Sequence, residues 1–328
     1  MEIAGLTAPQ LADYLALVNA EIRPEGATTQ AWDDFPLALD RDNLPWMLGA
    51  TAPDGRLAGG LAILVRSFAT SCGDIAVGAV GGVVTIPEAR GRGLSSRLQS
   101  AAIDLLRRQD VPLAALWTDR PEIYAGRGFI PAGWEWHAGL LEAHLPEAAP
   151  AGVTLRDWRP EDTAAAEHLY ESHRWRTVRR PGDAERLYNM PGTHGLVATI
   201  DGEVLAAVFC GKGADFPGYV AEWSGEPELV LSLLGQARRR GLAAAILIPA
   251  GGEALGDLLV AGGSAPLAMT SGCWAVVRPD LLAAKLTAAG RTPPPPGADA
   301  RAWLGAVDDD GEVTPGPLSL AVWGFDSV

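Results

Sequence analysis

The apolar positions of the chain recur with two periods, and these predict its elements in order. Leu11, Tyr14, Leu15 and Val18 fall at helical spacing within Leu6–Asn19, and Thr7 with Gln10 has the form of a capping box. Pro45–Ala52 and Leu57–Phe68 are strand-like runs joined by Pro53-Asp54-Gly55, which predicts a hairpin. Ile75–Ile86, rich in valine and glycine, reads as a buried strand. Its Gly78, Gly81 and Gly82 mark a bulge or a close approach of a ligand to the backbone. Leu94, Leu98, Ala101, Ala102, Leu105 and Leu106 line one face of the following helix. A strand at Pro112–Trp117, a helical turn at Glu122–Gly126 and a closing strand at Trp134–Leu141 complete the first half.

Residues 145–152 form a linker, after which the same order begins again. Strands are predicted at Val153–Trp158, Gly195–Ile200, Val204–Cys210, Tyr219–Trp223, Ala243–Ile248 and Met269–Val277. Helices are predicted at Glu161–Glu171, Pro227–Arg240 and Ala254–Ala261. The topology repeats, although the sequence does not. The expected domains are therefore 1–145, 152–278 and a short C-terminal extension, 279–328, with a stiff proline tract at Pro293–Pro296 and a last strand at Leu318–Trp323. The fold class is α/β, of the α+β kind, with two domains each built on a central mixed sheet flanked by helices.

Composition narrows the function. Hydrophobic residues make up 48% and charged residues 20%, as in a soluble globular protein. No apolar run reaches the ~18 residues of a membrane span, and the N-terminus lacks the basic start and apolar stretch of a signal peptide, so a cytoplasmic protein is expected. The net charge of -14 argues against nucleic acid as a partner and suits a cationic acceptor such as an amine, or serves only solubility. Cys72, Cys210 and Cys273 are too scattered for a zinc site or a disulfide framework. The five histidines, His137, His144, His168, His173 and His194, have no metal-ligand spacing. Arg174, Arg176, Arg179 and Arg180 form a basic run, read either as solvated surface or as a contact for a cofactor phosphate.

The chemistry concentrates where the Ile75–Ile86 strand runs through Arg90-Gly91-Arg92-Gly93-Leu94-Ser95 into a helix. Glycines let the backbone curl around a ligand, and the helix N-terminus supplies free N–H groups and a positive dipole end for a pyrophosphate. The P-loop lysine and the third glycine of the dinucleotide fingerprint are both missing. At these residues the chain resembles the GNAT superfamily of N-acetyltransferases, whose signature is Arg/Gln-x-x-Gly-x-Gly/Ala, with Ser95 in place of the final small residue. The resemblance implies acetyl-CoA as cofactor. Amides across Arg90, Gly91, Arg92, Gly93, Leu94 and Ser95 would hold its pyrophosphate, and Val84, Thr85 and Ile86 would pair with the pantetheine arm, a backbone N–H there polarising the thioester.

A second match lies downstream, where Tyr124 stands just before Gly126-Arg127-Gly128-Phe129. The resemblance implies that Tyr124 protonates the departing thiolate; the alternative is an ordinary buried tyrosine with a satisfied hydroxyl. The two-domain order further resembles the enhanced-intracellular-survival type, in which a second GNAT-like domain has lost the cofactor motif and the C-terminal carboxylate enters the active site. Trp223–Pro227, the matching turn here, indeed carries no motif, and the tail is shorter than that group's C-terminal domain. Val328 is accordingly a candidate catalytic group, with an intrinsic carboxyl pKa of ~3.3–3.7 that fits orienting the amine or acting through water. The alternative is an apolar tail that completes a sheet. Trp32, Asp33 and Asp34 are candidates for holding the acceptor by charge and cation–π contact. The expected activity is acetyl transfer to a small primary amine. The competing readings are an acyl-CoA-binding scaffold or sensor without turnover and an enzyme that acetylates proteins.

Overall fold

A computed structural model describes residues 1–23 and 26–328. The first half comprises β1 (Glu2–Gly5), α1 (Ala8–Ile22), α2 (Ala31–Asp34), β2 (Met47–Thr51), β3 (Leu57–Ala69), β4 (Ile75–Thr85), α3 (Leu94–Arg108), β5 (Leu113–Leu116), α4 (Glu122–Ala125), β6 (Ile130–Pro131) and β7 (Glu135–Gly139). The second comprises β8 (Thr154–Asp157), α5 (Thr163–Glu171), β9 (Arg176–Val178), α6 (Asp183–Tyr188), β10 (His194–Ile200), β11 (Glu203–Cys210), β12 (Tyr219–Gly225), α7 (Pro227–Arg239), β13 (Ala245–Pro249), α8 (Glu253–Ala261), β14 (Leu267–Met269) and β15 (Cys273–Val276). The extension holds α9 (Pro279–Ala288), α10 (Ala300–Leu304), and a small hairpin of β16 (Gly305–Val307) and β17 (Val313–Pro315). No helix among the described residues is long and apolar enough to cross a membrane.

Two mixed sheets carry the fold. The first runs β1-β2-β3-β4-β5-β15-β6, with β9 beside the far end of β3; the second runs β14-β7-β13-β12-β11-β10-β8. Each has one parallel pair, β4 with β5 and β12 with β13, spanned by α3 and α7 respectively, so the repeat of topology is real. Alternation along the strands sorts the packing. Leu61 and Ile63 of β3 meet Leu94, Leu98 and Leu106 of α3 on one face, while Ala62 packs with Tyr14 and Val18 of α1 on the other. In β11, Ala206 and Val208 face α7, and Ala207 and Phe209 face a cluster built from Ala166 of α5, Ala184 and Tyr188 of α6, and Leu64 and Ala79 of the first half.

Three expectations are corrected. The Trp134–Leu141 strand does not close the first sheet: its core, β7, pairs antiparallel with β13. In return, β15, expected to close the second sheet, inserts between β5 and β6. The halves thus exchange strands and do not separate at the linker. An alternating pattern gives a strand its faces but not its neighbour, which here is chosen by tertiary packing such as Trp274 of β15 against Val77 and Leu113. Leu318–Trp323 is likewise not a strand. It runs without a ladder, buries Leu318, Leu320 and Val322 against the extension and Trp323 in the second core, and ends in a 3₁₀ turn at Gly324–Asp326.

Candidate active site

β4 and β5 pair only from Val77 opposite Leu113 to Ala79 opposite Ala115. β4 then continues to Thr85 without that partner, its register against β3 shifted between Gly60 and Ala62 and Gly82 at φ +57. The two strands therefore splay, and a cavity of about 450 Å³ occupies the opening. Val80, Gly81, Gly82 and Val83 form one wall and Leu116 and Trp117 the other; Phe35, Leu39 and Tyr124 come from the first half, Asp215 and Phe216 from the second. Ser327 and Val328 enter from the C-terminus. A Cβ added at Gly81 would stand 3.0 Å from the terminal carbon of Val328. Of the glycines read as marking a close approach, Gly81 is thus met by the chain's own end.

The expected cofactor residues form one continuous edge leading out of this cavity. Ile86 N–H donates to Ala58 O at 3.0 Å. By strand alternation the N–H groups of Val84 and Ile86 turn toward β3, so those of Val83 and Thr85, not all three expected positions, lie on the open edge. Gly91 and Gly93 adopt φ +72 and +70, and a Cβ on either would meet no atom within 4 Å. This open left-handed cradle, at the N-terminus of a 15-residue helix, fits a phosphorylated group. Leu94 is buried as the helix's anchor, and Ser95 Oγ accepts from Gln99 at 3.0 Å. Arg90 is tied to Glu21 at 2.6 Å and to Thr85 O, whereas Arg92 is exposed.

Tyr124 is half-buried with its ring edge-on to Phe129, and burial raises its pKa above the ordinary value. The tail is fastened just ahead of Val328. Asp326 accepts from Tyr170 at 2.9 Å and from Arg179, which also holds Glu222; all three charged side chains are almost wholly buried. The arginine run is thus not simply solvated surface: Arg179 is an interior cation, stacked 3.8 Å above the Tyr170 ring.

The three expected acceptor residues do not line the cavity. Asp34 is fully buried, paired with Arg23 at 2.5 Å, and accepts from Thr29 and from Ala214 N–H across the interface. Asp33 caps its own helix by accepting from Gln30 N–H, and Trp32 lies in a separate surface groove with Leu11 and Leu15. The reason is local: α2 is one turn long, so Phe35, just after it, faces the cavity while the acids before it are consumed by capping and by the ion pair. Residues not anticipated from sequence include Arg23, Phe35, Trp117, Asp215, Phe216 and the buried Lys212. For Lys212 a signal existed: it is one of only two lysines in an arginine-rich chain, set between Gly211 and Gly213. Gly213, at φ +51, would drive any Cβ into the Asp34 carboxylate. Gly213→Ala is expected to cost about 2 kcal/mol or more of stability, read as a lower denaturation midpoint.

The corresponding opening in the second sheet is closed. β12 and β13 pair only at Tyr219–Ala245 and Val220–Ile246, but the Trp223 indole reaches across and donates to Leu247 O at 3.1 Å. Trp323 packs edge-to-face behind it, with ring centroids 5.3 Å apart. Among the described residues no cluster of His, Cys, Asp or Glu could hold a metal, and the three cysteines are free.

Residues 2–132 match the acetyltransferase (GNAT) domain family. No curated protein matches the chain in sequence. Among solved structures, a probable N-acyltransferase of unknown function from Enterococcus faecalis V583 shares 14% identity at a TM-score of 0.63, over 84% of this chain and 72% of that one. A GCN5-related N-acetyltransferase from Anabaena variabilis shares 15% at 0.62, over 84% and 72%. Eis1 from Mycobacterium abscessus shares 18% at 0.61, over 87% and 76%. Residues 2–132 accordingly match the GNAT acetyltransferase domain family, and the fold of the chain is like that of these solved structures, Eis1 among them.

Proposed function

We propose that this chain transfers the acetyl group of acetyl-CoA to the primary amine of a small acceptor with an apolar body. The observation that carries the reading is that a single cavity, at the splay of β4 and β5, is lined by Tyr124, by the edge leading to the glycine cradle and by the C-terminal residue. Acetyl-CoA supplies the activated acyl group. The amides around Gly91, Gly93 and Ser95 would bind its phosphates, and those of Val83 and Thr85 would align the arm and polarise the carbonyl. Phe35, Trp117 and Phe216 provide apolar walls for the acceptor. Asp215 and the Val328 carboxylate provide negative charge for its ammonium.

The chemistry then divides between two groups. The Val328 carboxylate orients the amine and passes its proton to water, leaving a free lone pair. As the N–C bond forms and the C–S bond breaks, the attacking nitrogen loses its second proton to water by the same route, and Tyr124 gives its proton to the departing thiolate and recovers one from solvent. A tyrosine whose pKa is raised by burial remains protonated throughout the neutral range, as an acid must.

Tyr124→Phe tests this. With an amine found by screening CoA release, kcat is expected to fall by roughly 10²–10⁴-fold, with acetyl-CoA affinity by calorimetry unchanged. Undiminished kcat would remove Tyr124 from the acid role. Absence of turnover with every amine, alongside intact acetyl-CoA binding, would favour a sensor.

A further inference from the structure

Lys212 sits on the loop between β11 and β12 and is wholly buried where the two halves meet. Its Nζ donates to Gly324 O at 3.1 Å, to Ser327 O at 2.5 Å and to Ser327 Oγ at 2.9 Å. An ammonium has three donors, and here all of them converge on the turn directly ahead of Val328. No ion pair to a carboxylate compensates it among the described residues. Asp215, Asp326 and Asp34 attract it at longer range, Arg23 opposes it, and the Phe35 ring lies 4.9 Å away. A buried cation held chiefly by main-chain oxygens is a costly way to stabilise a fold. It is a direct way to fix a backbone.

We propose that Lys212 is a positioning residue that clamps Ser327 so that the Val328 carboxylate stands in the cavity. The inference rests on the reading of that carboxylate as the group that orients the amine. The clamp differs from the anchor one residue earlier, where Asp326 is held by Arg179 and Tyr170. Loss of Lys212 therefore frees the last two residues and leaves Trp323–Asp326 in place. The clamp also responds to pH. Burial lowers the Lys212 pKa to about 8. Below that value the ammonium grips both carbonyls. Above it a neutral amine has two donors and no charge, so the grip weakens as pH rises. The charged groups that face it are the Asp215, Asp326 and Asp34 carboxylates and the Arg23 guanidinium.

Carboxypeptidase A removes a C-terminal valine only from a tail that has left its cavity. The test is therefore the rate of Val328 loss by intact mass, normalised at each pH to the free peptide of residues 324–328. The wild-type chain is expected to resist at pH 7 and to lose protection between pH 7 and 9. Lys212→Met is expected to lose Val328 and Ser327 roughly tenfold faster or more at pH 7, with no pH step. Ser327→Ala, which removes one of the three acceptors, is expected to show a smaller acceleration. Wild-type-like resistance in Lys212→Met would overturn the proposal. Should that variant fail to fold, pH-independent protection of the wild-type tail, with Ser327→Ala unchanged, would overturn it equally. Turnover after deletion of Val328 is a separate reading. If it is unchanged while Lys212→Met releases the tail, the carboxylate's role fails and the clamp stands.

Discussion

Deletion of Val328 alone is expected to lower kcat by roughly 10²-fold, because a shift of about 1 Å in an orienting group already costs that much. The shortened chain would end at Ser327, whose new carboxylate would fall on Lys212 Nζ, the present partner of Ser327 O. The charge would then be neutralised one residue short of Gly81, where the wild-type terminus stands. Stability should barely change, since Val328 is only half-buried and the tail's main fastenings lie upstream. Val328→Ala is the control. It keeps the carboxylate on the same backbone and should retain most of the activity. A longer truncation would be a poor test. Removing the last three residues takes Asp326 from Arg179 and leaves a buried cation with one carboxylate instead of two, at a cost of about 3–5 kcal/mol. The informative readout is kcat at saturating acetyl-CoA beside the melting temperature: a fall in the first without the second assigns the carboxylate a chemical part, and equal turnover in the two forms removes it.

That the tail enters the site was open from sequence, because an apolar ending such as Val322-Trp323-Gly324-Phe325 equally describes an edge strand. What decides its path is a set of distant partners: Arg179, Tyr170 and Lys212, each more than 110 residues upstream. The same holds for the exchanged strands β7 and β15. Their lengths and faces were legible, whereas their neighbours depend on which sheet offers a complementary face. By contrast, the glycine cradle and the helix after it were legible because the signal is local. Gly91 and Gly93 adopt the left-handed backbone that favours glycine, and Leu94 begins the periodic face. Asp34 misled because a carboxylate in an aromatic-flanked loop looks solvated. Its partner Arg23 lies eleven residues earlier, and its second-half partner, Ala214 N–H, leaves no sequence trace.

The same local cradle gives the other large effect, on binding rather than turnover. Gly93→Asp is expected to weaken acetyl-CoA binding by a hundredfold or more, about 2.8 kcal/mol, in calorimetry. This substitution acts differently on the fold and on the site. In the fold, a Cβ at Gly93 meets nothing within 4 Å, and Asp is among the residues that tolerate the left-handed region. A carboxylate at the N-cap of α3, just ahead of Leu94, would complement the helix dipole and offset the left-handed strain, so the melting temperature should fall little. In the site, that carboxylate occupies the field and the amides that a pyrophosphate would use, and opposes it by charge. Stoichiometry carries the second half of the result. Trp223 closes the other splay with its indole on Leu247 O, and Glu226 stands at the start of α7 where the first half has Gly93. One site in the wild type and none in Gly93→Asp is therefore expected. A residual site in the variant would mean that the Trp223 plug opens and that the second half binds the cofactor as well.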